Sequence, residues 1–147
     1  MTRIVALTGQ DFDEWLPLWR GYQTFYKVQI ADDTTSTTFA RLTGGAEPMG
    51  AFLARDDAGK AIGMVHWIMH RSCWTTGDYC YLQDLFVAPE IRGGGVGRKL
   101  IEAVYDVART RACSRVWWLT HETNQQAMIL YDKVATKSGF VQYVKRF

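Results

Sequence analysis
The sequence predicts a mixed α/β fold of the α+β kind, a mostly antiparallel central sheet with flanking helices. Three observations carry that expectation. Strand-like segments separated by turn chemistry fill the first half. After residue 78 the pattern changes to strand–helix–strand–helix–strand, which adds a parallel element to such a sheet. The 147 residues, 48% apolar and 22% charged, have the ordinary globular balance. Without repeats or a Pro/Gly/Ser-rich linker, the expectation is a single domain over residues 1–147.

Arg3 to Leu7 reads as a short strand. Asp11 then offers a helix cap with Glu14 three residues on, ahead of Trp15, Leu18, Trp19, Tyr22, Phe25 and Tyr26 at helical spacing; Pro17 falls within the first turns. A weaker helix is expected from Thr34 to Leu42, stopped by Gly44-Gly45. Met49 to Arg55 and Ala61 to His70 flank Asp56-Asp57-Ala58-Gly59-Lys60, a hairpin signal. Asp78 to Val87 is a third long strand, rich in Tyr, Leu and Phe. A helix over Val96 to Arg111 presents Leu100, Ile101, Val104, Val107 and Ala108 on one side. Ser114 to Thr120 reads as a buried strand, and Asn124 to about Lys137 as a helix ended by Ser138-Gly139. Phe140 to Arg146 closes the pattern as a strand.

Several functions are excluded or disfavoured. No apolar run approaches the ~18–20 residues of a membrane helix, and Met1–Leu7 is too short for a secretory signal. The expectation is therefore a cytoplasmic protein with no membrane partner. Cys73, Cys80 and Cys113 fit no metal or redox spacing and read as buried reduced thiols. His66 and His70 lie on a strand, where four residues span about 13 Å, so one ion cannot take both, and no metal is expected. Net charge is only +2, which argues against nucleic acid. Its distribution is uneven: residues 1–91 carry seven Lys/Arg against eleven Asp/Glu, and residues 92–147 carry ten against four. One part suits a cation and the other a polyanion.

The most informative stretch is Leu85-Phe86-Val87-Ala88-Pro89-Glu90-Ile91-Arg92-Gly93-Gly94-Gly95-Val96-Gly97-Arg98. A strand ends, the chain turns through glycines, and a helix begins. Glycines let backbone N–H groups crowd inward, and the helix amino terminus adds four unpaired N–H groups and a partial positive charge. Together they can cradle a pyrophosphate, with Arg92, Arg98 and Lys99 supplying formal charge. A Walker A loop would need Gly-Lys-Ser/Thr after the glycines. A dinucleotide fold would need a ribose-binding acid about twenty residues later, and neither is present.

Arg92-Gly93-Gly94-Gly95-Val96-Gly97 resembles the Arg/Gln-x-x-Gly-x-Gly/Ala motif of the GCN5-related N-acetyltransferase (GNAT) family. The resemblance runs from about Tyr79 to the carboxy terminus. It includes Asp84-Leu85-Phe86-Val87 before Pro89, Thr120-His121-x-x-Asn124, Leu130-Tyr131-x-Lys133 and Gly139-Phe140. The nearest subgroup is the small histone- and polyamine-type enzymes, whose first helix carries aromatics like Trp19, Tyr22, Phe25 and Tyr26.

The resemblance implies a GNAT fold with a splayed strand pair. It implies acetyl-CoA as co-substrate and direct transfer to a primary amine, either a polyamine-like small molecule or a lysine side chain. The pyrophosphate is assigned to Arg92, Gly93, Gly94, Gly95, Val96, Gly97 and Arg98, and the pantetheine arm to Leu85, Phe86, Val87, Asn124 and Tyr131. The Leu85 N–H is the oxyanion donor and Tyr131 the general acid. The subgroup often has Glu where this chain has Gln83. Unbroken strand alternation would put Tyr79, Tyr81, Gln83 and Leu85 on one face and Asp84 on the other. The base is then His121, Glu122 or water. A homodimer is expected. The rival reading is a catalytically silent acyl-CoA sensor, which Gln83 favours and Tyr131 and His121 oppose.

Overall fold
The computed structural model describes residues 1–147. Its elements are β1 (Arg3–Ala6), α1 (Phe12–Tyr26), α2 (Asp32–Gly44), β2 (Met49–Arg55), β3 (Ala61–His70), β4 (Tyr79–Val87), α3 (Val96–Thr110), β5 (Arg115–Trp117) and α4 (Gln125–Val134). The five strands form one sheet in the order β1-β2-β3-β4-β5. Its first three pairings are antiparallel and β4–β5 is parallel. This is the expected mixed sheet with flanking helices.

Two apolar layers sandwich the sheet. Leu100, Ile101 and Val104 of α3 pack with Val65, Trp67, Cys80 and Leu82 on one face, and Leu130, Tyr131 and Val134 of α4 join their edge. On the other, Trp15, Leu18 and Trp19 of α1 and Phe39 and Leu42 of α2 pack with Leu53, Met64 and Phe86. Gly21 lets α1 sit close to β4, since a Cβ there would lie 2.8 Å from the Phe86 ring.

Several expectations change. Asp11 does precede α1, but no side chain caps it. The Asp11 carboxylate instead accepts from the Thr8 N–H at 2.8 Å, and Arg55 clasps both Asp11 (3.1 Å) and Glu14 (2.6 Å). An ion-paired clasp between α1 and β2 replaces the expected capping box. β5 is a short, half-exposed strand rather than a buried one over 114–120, because the chain parts from β4 after Trp117 and loses its ladder partner. Helix α4 ends at Val134, with Ala135 extended, so Gly139, although left-handed at φ +86, does not cap it. Phe140–Arg146 joins no sheet, since no strand lies opposite it within the chain. Cys73 is exposed, whereas burial pushes the Cys80 thiol up to about 12 and raises that of Cys113, so both stay protonated at neutral pH.

Candidate active site
The turn between β4 and α3 is built for backbone presentation. Gly93 and Gly95 have φ +96 and +79, in the left-handed region that favours glycine, and open space surrounds the position of each missing Cβ. Gly95 immediately precedes α3, and no side chain caps that helix. The first α3 bond runs from the Lys99 N–H to the Gly95 carbonyl, which leaves the N–H groups of Val96, Gly97 and Arg98 without intrahelical partners. Gly97 has a packing role, because a Cβ there would touch Leu130 of α4 at 3.4 Å.

The neighbouring cations divide. The Arg92 Nε donates to the Val87 carbonyl at 3.0 Å, and its guanidinium lies 5.4 and 5.5 Å from the Phe25 and Phe86 rings, tying the turn to the end of α1. Arg98 pairs with Glu102 on the exposed rim at 3.0 Å, and the Lys99 Nζ reaches the Thr2 carbonyl instead of the turn.

This turn fits an acyl-CoA diphosphate: uncapped N–H groups, glycine conformations and open space coincide. Gly95→Val forces a β-branched residue into left-handed backbone. The acetyl-CoA dissociation constant is expected to rise at least about tenfold, equivalent to ~1.4 kcal/mol. Isothermal titration checks this, and unchanged affinity in a folded variant would refute the cradle.

Beside the turn the sheet opens. β4 and β5 pair only through Tyr79–Tyr81 and Arg115–Trp117, so the edge of β4 from Leu82 to Val87 faces no strand on that side. On its other side Leu85 pairs with Val65. An amide-bearing arm can bond such an unpaired edge along Leu85, Phe86 and Val87. Counting on from the Tyr81–Trp117 pair brings Leu85 and His121 to about the same height across the gap. His121 is exposed; its Nδ1 is engaged by Thr123 (Oγ1 2.7 Å, N 3.2 Å), and its Nε2 has no partner. Asn124 immediately precedes α4, its Nδ2 donating to the Thr120 Oγ1 at 3.2 Å. Tyr131 lies two turns further on, half-buried, with its ring 5.4 Å from Trp118. Burial, then the nearby Tyr26 hydroxyl, pushes its pKa up to about 12, so it holds its proton at neutral pH.

The sequence reading missed a second cluster, because alternation along β4 is broken. His66 pairs with Asp84 but the next residue, Trp67, pairs with Leu82, leaving Gln83 as an extra, exposed residue in a bulge. Leu85 and Val87 therefore lie on the α3 face with Cys80 and Leu82, while Asp84 and Phe86 lie on the α1 face. Asp84 so comes beside Tyr81, contrary to the regular alternation expected.

Asp84 and His66 are 7% and 2% exposed. The Trp15 Nε1–H donates to the His66 Nε2 at 2.9 Å, and an indole nitrogen can only donate. His66 is therefore the neutral tautomer carrying its proton on Nδ1, which it donates to the Asp84 Oδ2 at 2.8 Å. No Lys or Arg pairs with Asp84. Around it stand Tyr22, Tyr26 and Tyr81. Burial and then the Asp84 charge raise all three phenol pKa values. Tyr26 also adjoins Tyr131, which links this cluster to the open edge. His70 is engaged separately, by Trp117 and the Arg71 carbonyl. The aromatics of α1 were visible in the sequence, but nothing local marks the bulge.

Comparison with known proteins agrees with this geometry. A family profile described as Acetyltransferase (GNAT) family matches residues 12–135. The chain is 38% identical to the D-amino-acid N-acetyltransferase HPA3 of Saccharomyces cerevisiae over 141 residues, 95% of this chain and 88% of that protein. It is 32% identical to a thialysine N-epsilon-acetyltransferase of Sus scrofa over 96 residues, 65% of this chain and 51% of that one. Among solved structures, a ribosomal-protein-alanine N-acetyltransferase from Brucella melitensis biovar Abortus 2308 superposes with TM-score 0.84 at 24% identity, covering 100% of both chains. The aminoglycoside enzyme AAC(6')-Iy, in complex with a CoA bisubstrate analogue, gives TM-score 0.87 at 18% identity, covering 100% of this chain and 99% of that one.

Proposed function
The chain belongs to the acetyltransferase (GNAT) family and is an acetyl-CoA-dependent N-acetyltransferase, and on that premise we propose that it acetylates a cationic primary amine held at Asp84. The acceptor is a polyamine-like small molecule or a lysine-type side chain. One observation carries this reading: a buried carboxylate with no formal cation, ringed by three tyrosines, lies beside the unpaired edge of β4. A carboxylate so placed favours an ammonium group, which also gains from the tyrosine ring faces.

Acetyl-CoA supplies the activated acetyl group as a thioester. The N–H groups from Gly93 to Arg98 bind its diphosphate, the β4 edge orients its arm, and the Leu85 N–H donates to the thioester oxygen as charge develops there. Asp84 fixes the acceptor nitrogen, and the Nε2 of His121 takes its proton as the amine attacks. Tyr131 holds a proton at its hydroxyl for the departing sulfur. These steps use no metal. The reading also includes a homodimer, a cytoplasmic location, and no nucleic-acid or membrane partner; no helix is long and apolar enough to cross a membrane.

A panel of amines assayed for release of free CoA tests the proposal. Di- and polyamines and lysine analogues are expected to turn over faster than uncharged-ended amines of equal length. Acetyl-CoA binding without CoA release from any amine would leave the sensor reading standing. For the base, His121→Ala is expected to remove the acidic limb of the kcat/KM pH profile at about pH 6–7. An unaltered profile assigns proton removal to water.

A further inference from the structure
The sheet ends on a strand with nothing beside it, and the chain ends its fold with a strand-like segment that has nothing to pair with. The outer side of β5 is free, because β5 is last in the strand order. Beyond Ala135 no main-chain hydrogen bond joins residues 136–147 to the rest of the chain. Yet Phe140-Val141-Gln142-Tyr143-Val144 is rich in β-branched and aromatic residues, the composition of a strand. Its apolar side chains stand in water, Tyr143 at 91% exposure and Phe140 and Val141 at 77%. Trp74, Leu119 and Ile129, close in sequence to β4, β5 and α4, are exposed as well. Phe140 lines a shallow hollow with Trp74, Tyr79 and Arg115, which places the start of the segment near β5 without pairing it there.

An unpaired edge and an unpaired apolar strand on one chain are self-complementary. Under a two-fold axis each copy can lend its segment to the other's edge, satisfying both rows of backbone groups and covering both apolar sets at once. Resting on the homodimer reading above, we infer that residues 140–147 of one copy add as a strand to the outer edge of β5 of a second copy, reciprocally. The exchange lengthens the sheet at β5 and the chain continuing it to Thr120. It thereby steadies Trp118, against which the Tyr131 ring packs.

Hydrogen exchange of residues 140–147, measured alongside light-scattering mass over a dilution series of the full chain, tests this. The expected result is a dimer in which these amides are protected, with protection lost on dilution in step with the mass. A dimer with unprotected 140–147 overturns the exchange but keeps the homodimer. A monomer at every concentration overturns both, and protection that persists in the monomer shows the segment closing on its own β5. Val144→Pro, which removes a ladder donor, is expected to halve the mass while acetyl-CoA binding persists. A variant that stays dimeric overturns the inference. Acetyl-CoA binding, read separately by calorimetry, distinguishes these failures from failure of the acetyltransferase site.

Discussion
Tyr131→Phe is expected to lower kcat by at least tenfold while leaving the fold and acetyl-CoA affinity nearly unchanged. The substitution removes one hydroxyl and keeps the ring against Trp118. What it deletes is the proton donor for the departing sulfur, and general acid catalysis is typically worth about 10²–10⁴-fold. A ground-state thioester sulfur accepts hydrogen bonds poorly, so binding has little to lose. Burial sets a second signature. With its pKa pushed up to about 12, Tyr131 stays protonated across the neutral and moderately alkaline range. Its contribution is expected to hold through about pH 10 and to fall only as pH rises toward that value. A wild-type alkaline limb near pH 8–9 that vanishes in Tyr131→Phe would contradict this environment. Intact kcat with collapsed cofactor binding would make Tyr131 a binding residue.

Asp84→Asn is expected to reduce kcat/KM for the acceptor about 100-fold or more, mainly through KM, with acetyl-CoA affinity unchanged. Losing one member of a buried, hydrogen-bonded charge pair costs about 2–5 kcal/mol, and here the partner is the acceptor's ammonium. The amide keeps the carboxylate's shape and can still accept from the His66 Nδ1. Stability responds in the opposite sense. A buried carboxylate without a cation is a burden on the folded state, so Tm is expected to hold or rise in the variant. A structural Asp84 gives the reverse, a lowered Tm with catalysis intact, and thermal melts beside amine kinetics separate the two.

Sequence reading located the co-substrate half of the site more fully than the acceptor half. The diphosphate turn is local: glycines, strand end and helix start are contiguous from Val87 to Gly97, and their chemistry follows from neighbouring residues. The helix and strand cores were likewise readable, since α3 and β2–β4 advertise their buried faces by period. The acceptor pocket is assembled from Trp15, Tyr22, Tyr26, His66, Tyr81 and Asp84, which lie on three elements far apart in the chain. Its decisive feature is a single extra residue in β4, and strand alternation counted from either end misplaces what lies beyond it. The last segment was misread for a related reason. Its composition says strand, but composition does not say on which molecule the partner edge resides.

That extra residue also fixes how the chain tolerates change in length. Deleting Gln83 would restore strict alternation and turn the segment after it over, since a one-residue slip exchanges the two faces of a strand. Asp84 would swing beneath α3, among Leu100, Ile101 and Val104, as a bare charge in hydrocarbon, while Leu85 would turn toward Trp15. Because Gln83 is exposed and its backbone is off the ladder, its side chain can be exchanged at small cost, whereas its presence cannot be given up. Position 83 thus acts as a spacer, with identity free and count fixed.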